Sequence, residues 1–133
     1  MKVLLPTLAV IEFGAGLGML AIPSFVGEIL LGSPFGTTIE PVIARLAGIA
    51  LLALAVACWL LRNEGWSRAA RGMVGAMLLY NGGGTGVLLY AGPGLGLYGT
   101  GFWPAVVVHA VMAVWCLVSL LHKPARFMSD QKS

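Results

Sequence analysis

The chain has 133 residues, of which 59% are apolar and only 10% are charged, and its mean hydropathy is +0.92. Soluble domains carry about 25% charged residues, so this sequence has too little polar surface to coat a water-soluble globule, and its length suits a single domain, 1–133. The net charge of +3 does not indicate nucleic-acid binding, because the few basic residues stand at the ends of apolar runs and do not line one face.

Four apolar segments are each long enough for a helix that crosses a bilayer, which takes roughly 20 residues. Their predicted bounds are about 3–22, 41–61, 72–91 and 102–121. Pro41 and Pro104 suit the first turns of the second and fourth segments. Pro23 and the run Gly92–Gly94 favour ends for the first and third. The first segment contains Glu12 and is too long for a secretory signal, so we expect it to be retained.

The link between the first two segments is itself largely apolar. It carries Phe25, Val26, Ile29, Leu30 and Leu31 around the single charge of Glu28. This pattern predicts a short amphipathic helix that lies in the membrane interface. The predicted fold is therefore all-α: an integral membrane four-helix bundle with an interfacial helix between helices 1 and 2. Residues 122–133 form a polar tail.

The basic residues predict how the helices are oriented, because Lys and Arg in short loops favour the cytoplasmic side. If the four helices alternate, every Lys and Arg except Arg45 falls on one side: Lys2, Arg62, Arg68, Arg71, Lys123, Arg126 and Lys132. Both termini and the loop around 62–71 are then cytoplasmic. Trp59, Trp66, Tyr98 and Trp103 stand near the segment ends, as in an aromatic belt.

Each predicted helix contains one strongly polar residue: Glu12, Arg45, Asn81 and His109. A charged residue within lipid costs about 2.5–3.5 kcal/mol, so such residues usually face the bundle interior. Small residues three or four positions away support an inward orientation for all four. Two interpretations stay open: a polar clasp that fixes helix packing, or a proton path or ligand pocket. A Glu12–Arg45 pair, with His109 near it, fits the helical rise.

Glycine pairs of the GxxxG type occur at Gly14 and Gly18 and at Gly82 and Gly86. They predict close helix packing, within the chain or between copies. The run Asn81–Thr85 contains three consecutive glycines, and the alternative there is a broken helix that exposes its backbone to a substrate, as in some transporters.

The motifs of several enzyme and metal-binding classes are missing. The sequence has no CxxC, HExxH or P-loop motif. We therefore expect that the chain has no metal site and that it is not an enzyme on its own. Haem ligation is not expected, because His109 and His122 stand 13 positions apart on one helix and no second histidine pair exists. Cys58 and Cys116 lie in apolar runs, where a free cysteine behaves as a small hydrophobe.

Three stretches resemble the small DoxX-like membrane proteins of bacteria: GLGMLAIPSFVGEILLG at 16–32, ARLAGIALLALAVACWLLR at 44–62 and FWPAVVVHAVMAVW at 102–115. The resemblance implies a bacterial inner-membrane protein with a link to quinone or to a larger complex, since some DoxX-type subunits belong to quinone-linked sulfur oxidation. The first hypothesis is therefore an accessory or structural subunit of a membrane complex or homo-oligomer. The alternative is a carrier or binding site for a quinone-like or lipid-like molecule, with proton coupling through the four polar residues.

Overall fold

The computed structural model describes residues 2–36 and 38–122, and all the regular structure in these ranges is helical. The α-helices are α1 (Leu4–Ala21), α2 (Pro23–Leu31), α3 (Ile39–Leu60), α4 (Arg68–Leu89) and α5 (Phe102–Leu121). A 3-10 turn at Leu61–Asn63 follows α3, and a π-helical turn at Tyr90–Gly94 follows α4. The all-α prediction is confirmed, including a helix in the link after α1. The predicted tail lies outside the described residues from position 123 onward.

Three of these helices are long and apolar enough to cross a membrane, namely α1, α3 with the turn that follows it, and α5. The prediction of a membrane protein is confirmed at that level. Helix α4 has 22 residues, as many as α3, but it is not among the three. It begins with two arginines in its first turn and carries Asn81 and a run of glycines in its second half, which make it less apolar.

Local chemistry explains where the helices begin and end. Helix α4 begins earlier than position 72 because the Ser67 hydroxyl accepts a hydrogen bond of 3.1 Å from the Ala70 N–H. Pro23 does more than end α1, because it is also the first residue of α2. Gly32 ends α2 at φ +77°, a left-handed conformation that glycine adopts without strain. Pro93 has no N–H to donate, and it lies in the π-helical turn after α4.

The four long helices form two antiparallel pairs, α1 with α3 and α4 with α5. Gly16 and Gly48 bring the first pair into backbone contact. A Cβ on Gly16 would lie 2.9 Å from the Gly48 carbonyl oxygen, and one on Gly48 would lie 2.8 Å from the Gly16 oxygen. Only glycine at both positions permits this crossing.

The two pairs share an apolar core at one end of the molecule. It contains the start of α1, the end of α3, the start of α4 and the end of α5: Leu4, Leu5, Leu8, Ala9, Cys58, Ala70, Val74, Met77, Met112 and Cys116. The helices therefore alternate in direction, which places Lys2, Arg62, Arg68 and Arg71 at this same end. Both cysteines are free and buried within the core, as predicted.

At the other end, α2 is attached to the loop that precedes α5. The Gly101 N–H donates to the Ile29 carbonyl at 2.9 Å, and the Gly99 N–H donates to the Leu30 carbonyl at 3.2 Å. These bonds satisfy carbonyl groups at the C-terminal end of α2 that have no partner within the helix. A side chain on Gly99 would collide with the Ile29 carbonyl, so the glycines of this loop allow its close approach to α2.

Candidate functional site

A cleft of about 640 Å³ lies between the two helix pairs, beyond the core that they share. Its lining is almost entirely apolar and comes from all five helices: Gly14, Ala15, Gly18, Met19, Val26, Leu30, Leu51, Tyr80, Gly84, Val87, Leu88, Pro104, Ala105, Val108 and His109. Several of these residues are exposed, so the cleft is open to the surroundings of the helices.

Tyr80 of α4 and His109 of α5 are the two lining residues with polar side-chain groups. Their ring centroids lie 5.8 Å apart with the planes tilted by 44°. The His109 Nδ1 lies 2.9 Å from the Ala105 carbonyl oxygen on the same helix. Because a carbonyl oxygen only accepts, Nδ1 carries the hydrogen. The Nε2 atom then accepts a hydrogen bond when the ring is neutral and donates one when it is charged.

Gly84 allows His109 to lie directly against α4. A Cβ on Gly84 would come within 2.6 Å of His109 Cδ2 and 3.2 Å of Nε2. Any larger residue would therefore push the imidazole out of its place beside Tyr80. One glycine of the Asn81–Thr85 run thus has a defined role within the chain.

Glu12 does not line the cleft and is only 2% exposed. The Tyr80 hydroxyl and the Glu12 carboxyl are hydrogen-bond partners, so the polar groups form a row from Glu12 through Tyr80 to His109. Tyr80 is not among the residues predicted from the sequence, although its position beside Asn81 places it at the depth of the predicted polar residues. In the sequence, Tyr80 is an aromatic residue within an apolar run, and no pattern marks its hydroxyl as part of a polar site.

The predicted Glu12–Arg45 pair is wrong. The Arg45 side chain is exposed, and its Nε donates to the Leu20 carbonyl at 3.2 Å. The Gly16–Gly48 crossing explains the difference, because it places Arg45 opposite the end of α1. Glu12 is then roughly two helical turns, about 10 Å, farther along α1.

Asn81 is 2% exposed but does not line the cleft. Its Nδ2 donates to the Met77 carbonyl at 2.9 Å, and the Thr85 hydroxyl donates to the Asn81 carbonyl at 2.9 Å. Helix α4 runs without interruption through Asn81–Thr85, so the broken-helix alternative is wrong. Of the four predicted polar residues, Glu12 and Asn81 are buried, His109 is half-buried in the cleft and Arg45 is exposed.

The predicted packing glycines do not make close contacts within the chain. Gly14 and Gly18 line the cleft, and a Cβ on Gly14 would meet nothing within 4 Å. On Gly18 it would meet only Val26 Cγ2, at an ordinary 3.4 Å. Gly82 and Gly86 are exposed on α4, and a Cβ at either position would meet no atom within 4 Å. Packing between copies through these glycines stays a prediction.

Among residues 2–36 and 38–122, no three His, Cys, Asp or Glu side chains are placed to hold a metal ion. Comparison of the chain with protein-family models, with curated proteins and with solved structures found no match.

Proposed function

We propose that this protein is a multi-pass membrane protein that binds one quinone-like or lipid-like molecule in the cleft. The observation that carries the proposal is an apolar cleft of about 640 Å³ with two polar side chains, Tyr80 and His109, side by side in its lining. Sites for small molecules typically enclose about 300–1,000 Å³ and combine apolar walls with a few placed polar groups.

In this proposal all four long helices cross the membrane as a bundle. A helix of 22 residues is about 33 Å long, so α4 matches the hydrocarbon thickness, and α5 covers one of its sides. The end that carries Lys2, Arg62, Arg68 and Arg71 is cytoplasmic, and α2 lies in the opposite interface. A bacterial inner membrane, and the link to quinone that a DoxX-like resemblance implies, are parts of the same proposal.

The bound molecule would place its polar head group at Tyr80 and His109 and its apolar part along α1. Gly14 and Gly18 support this orientation, because without side chains they leave room beside α1. The His109 Nε2 suits a ligand hydroxyl or carbonyl according to its protonation. The buried Glu12 carboxyl interacts with the Tyr80 hydroxyl, which supports the proposed proton coupling.

The test is equilibrium binding of a short-chain ubiquinone and its quinol to the purified chain in detergent. His109→Ala should weaken binding about three- to tenfold, the effect of one lost hydrogen bond. His122→Ala is the matched control, because its Nδ1 also bonds to the carbonyl four residues earlier, Val118 at 3.0 Å, but it lies outside the cleft. Gly14→Leu should abolish binding by filling the cleft.

An equal loss in His109→Ala and His122→Ala would contradict the proposal. So would unchanged binding in Gly14→Leu, because the leucine side chain would occupy the space assigned to the ligand.

We propose as a second candidate a subunit that assembles with further copies of itself through α4. One face of α4 carries residues at alternating spacings of three and four: Gly72, Gly75, Leu79, Gly82 and Gly86. Leu79 is 77% exposed, and no atom lies within 4 Å of a Cβ built on these glycines. Because α4 is also the least apolar of the long helices, a second helix on this face would shield its backbone from lipid.

A further inference from the structure

A second apolar depression, separate from the cleft, runs between α1 and α3. It has a volume of about 350 Å³, and its walls include Val10 and Phe13 of α1 and Val56, Trp59 and Leu60 of α3. All five of these side chains are about half exposed or more. We call this depression the α1–α3 groove. It shares no lining residue with the cleft.

One end of the α1–α3 groove is positively charged. The Arg62 guanidinium carbon lies 4.3 Å from the centroid of the Trp59 ring, and its Nη1 donates to the Trp59 carbonyl at 2.6 Å. Lys2 lines a neighbouring depression that shares Val10 with the groove. The antiparallel pairing of α1 and α3 places Lys2 and Arg62 at the same end of the molecule.

We propose that the α1–α3 groove binds one anionic phospholipid, with an acyl chain along Val10, Phe13 and Val56 and the phosphate at Arg62 and Lys2. Arg62 has five N–H donors, of which the hydrogen bond to the Trp59 carbonyl uses one, so the guanidinium has further donors for a phosphate. Trp59 suits the depth of the head group, where indole rings concentrate. The cationic end distinguishes an anionic lipid from a neutral one with the same chains.

This proposal does not rest on ligand binding in the cleft. Arg68 begins α4 on the same side of the molecule but, unlike Arg62, has no cation–π contact with Trp59. It therefore provides a control for charge alone.

The experiment is a titration of the purified, delipidated chain in neutral detergent with phosphatidylglycerol or phosphatidylcholine of identical acyl chains, followed by native mass spectrometry. We expect one phosphatidylglycerol to bind more tightly than phosphatidylcholine. Arg62→Gln and Lys2→Gln should each weaken phosphatidylglycerol binding about fivefold, the effect of one basic residue on an anionic lipid. Arg68→Gln removes the same charge and should leave the affinity unchanged.

Val56→Trp should weaken binding of both lipids, because an exposed indole would fill the groove without entering the core. Gly14→Leu, which alters the cleft, should leave phosphatidylglycerol binding as it is. Equal affinities of the unmodified chain for the two lipids would overturn the proposal. An equal loss in Arg68→Gln and Arg62→Gln would overturn it as well, because the attraction would then be to net charge and not to this groove.

Discussion

At the scale of single residues, the four predicted polar residues and Tyr80 differ in which segments their side chains connect. Asn81 and His109 each bond to a carbonyl four residues earlier on their own helix, which satisfies them without joining two helices. Only Glu12, through Tyr80, and Arg45, through the Leu20 carbonyl, link one helix to another. A clasp made by all four predicted residues is therefore wrong, and His109 is left to face the cleft.

Substitution of two glycines of α1 by alanine should change the stability of the protein in opposite directions. Gly16→Ala should lower the stability by about 1–3 kcal/mol, because the new methyl group would meet the Gly48 carbonyl, which belongs to the backbone and cannot rotate away. Gly14→Ala should raise it by up to about 1 kcal/mol, because alanine favours helix and the site is open. Thermal unfolding in detergent, followed by tryptophan fluorescence, measures both. Equal destabilisation of the two variants would contradict the α1–α3 crossing.

At the scale of secondary structure, α4 shows how a glycine-rich segment stays helical. The Ser67 cap satisfies an N–H at its start, and α5 packs along one side. Gly84 faces His109, whereas Gly82 and Gly86 face away from the rest of the chain. The helix therefore has one face fitted to α5 and another with no partner among the described residues.

The exposed glycine face of α4 predicts that copies of the chain assemble through this helix. Gly82→Leu should convert the detergent-solubilised protein from an oligomer to a monomer, because a leucine would separate the two helix backbones. Size-exclusion chromatography with light scattering measures the mass. Ala53→Leu is the control, since it adds an alkyl group at an exposed position of α3. A monomeric unmodified protein, or the same loss in both variants, would contradict assembly through α4.

At the scale of the whole molecule, the two helix pairs join at one end and separate at the other. The shared core holds the end where α1 and α4 begin, and the cleft occupies the space between the pairs farther along. Helix α2 contributes Val26 and Leu30 to the cleft wall and is tied by backbone bonds to the loop before α5. This arrangement places the cleft in the half of the molecule that we assign to the outer side of the membrane.

The assigned orientation can be tested with two single cysteines. Glu64→Cys lies in the loop near Arg62, and Thr100→Cys lies in the loop near α2; both positions are exposed. A membrane-impermeant maleimide applied to intact cells should label Thr100→Cys alone, and both after permeabilisation. The native Cys58 and Cys116 are fully buried and should stay unlabelled. Labelling of both new cysteines in intact cells would contradict a four-span topology with cytoplasmic arginines.

The sequence by itself determined the helices, the burial of Glu12 and Asn81, and the free state of the cysteines. These properties depend on short-range features: the length of apolar runs, prolines and glycines at helix ends, and small residues three or four positions away. Each acts within one segment, so it can be recognised without knowing where the other helices lie. The same local reasoning wrongly predicted that Arg45 faces the bundle interior. A small residue three positions away does not by itself make a position buried, and Arg45 is exposed.

Only the tertiary structure decided which residues meet. In the structure, Tyr80 and not Arg45 is the partner of Glu12. The close helix crossing occurs at Gly16 and Gly48, whereas Gly14 and Gly18 line the cleft. Helix register and crossing depend on the steric fit of side chains from distant segments. Glycines two positions apart in the sequence therefore have opposite surroundings, one in backbone contact and the other beside an open cleft.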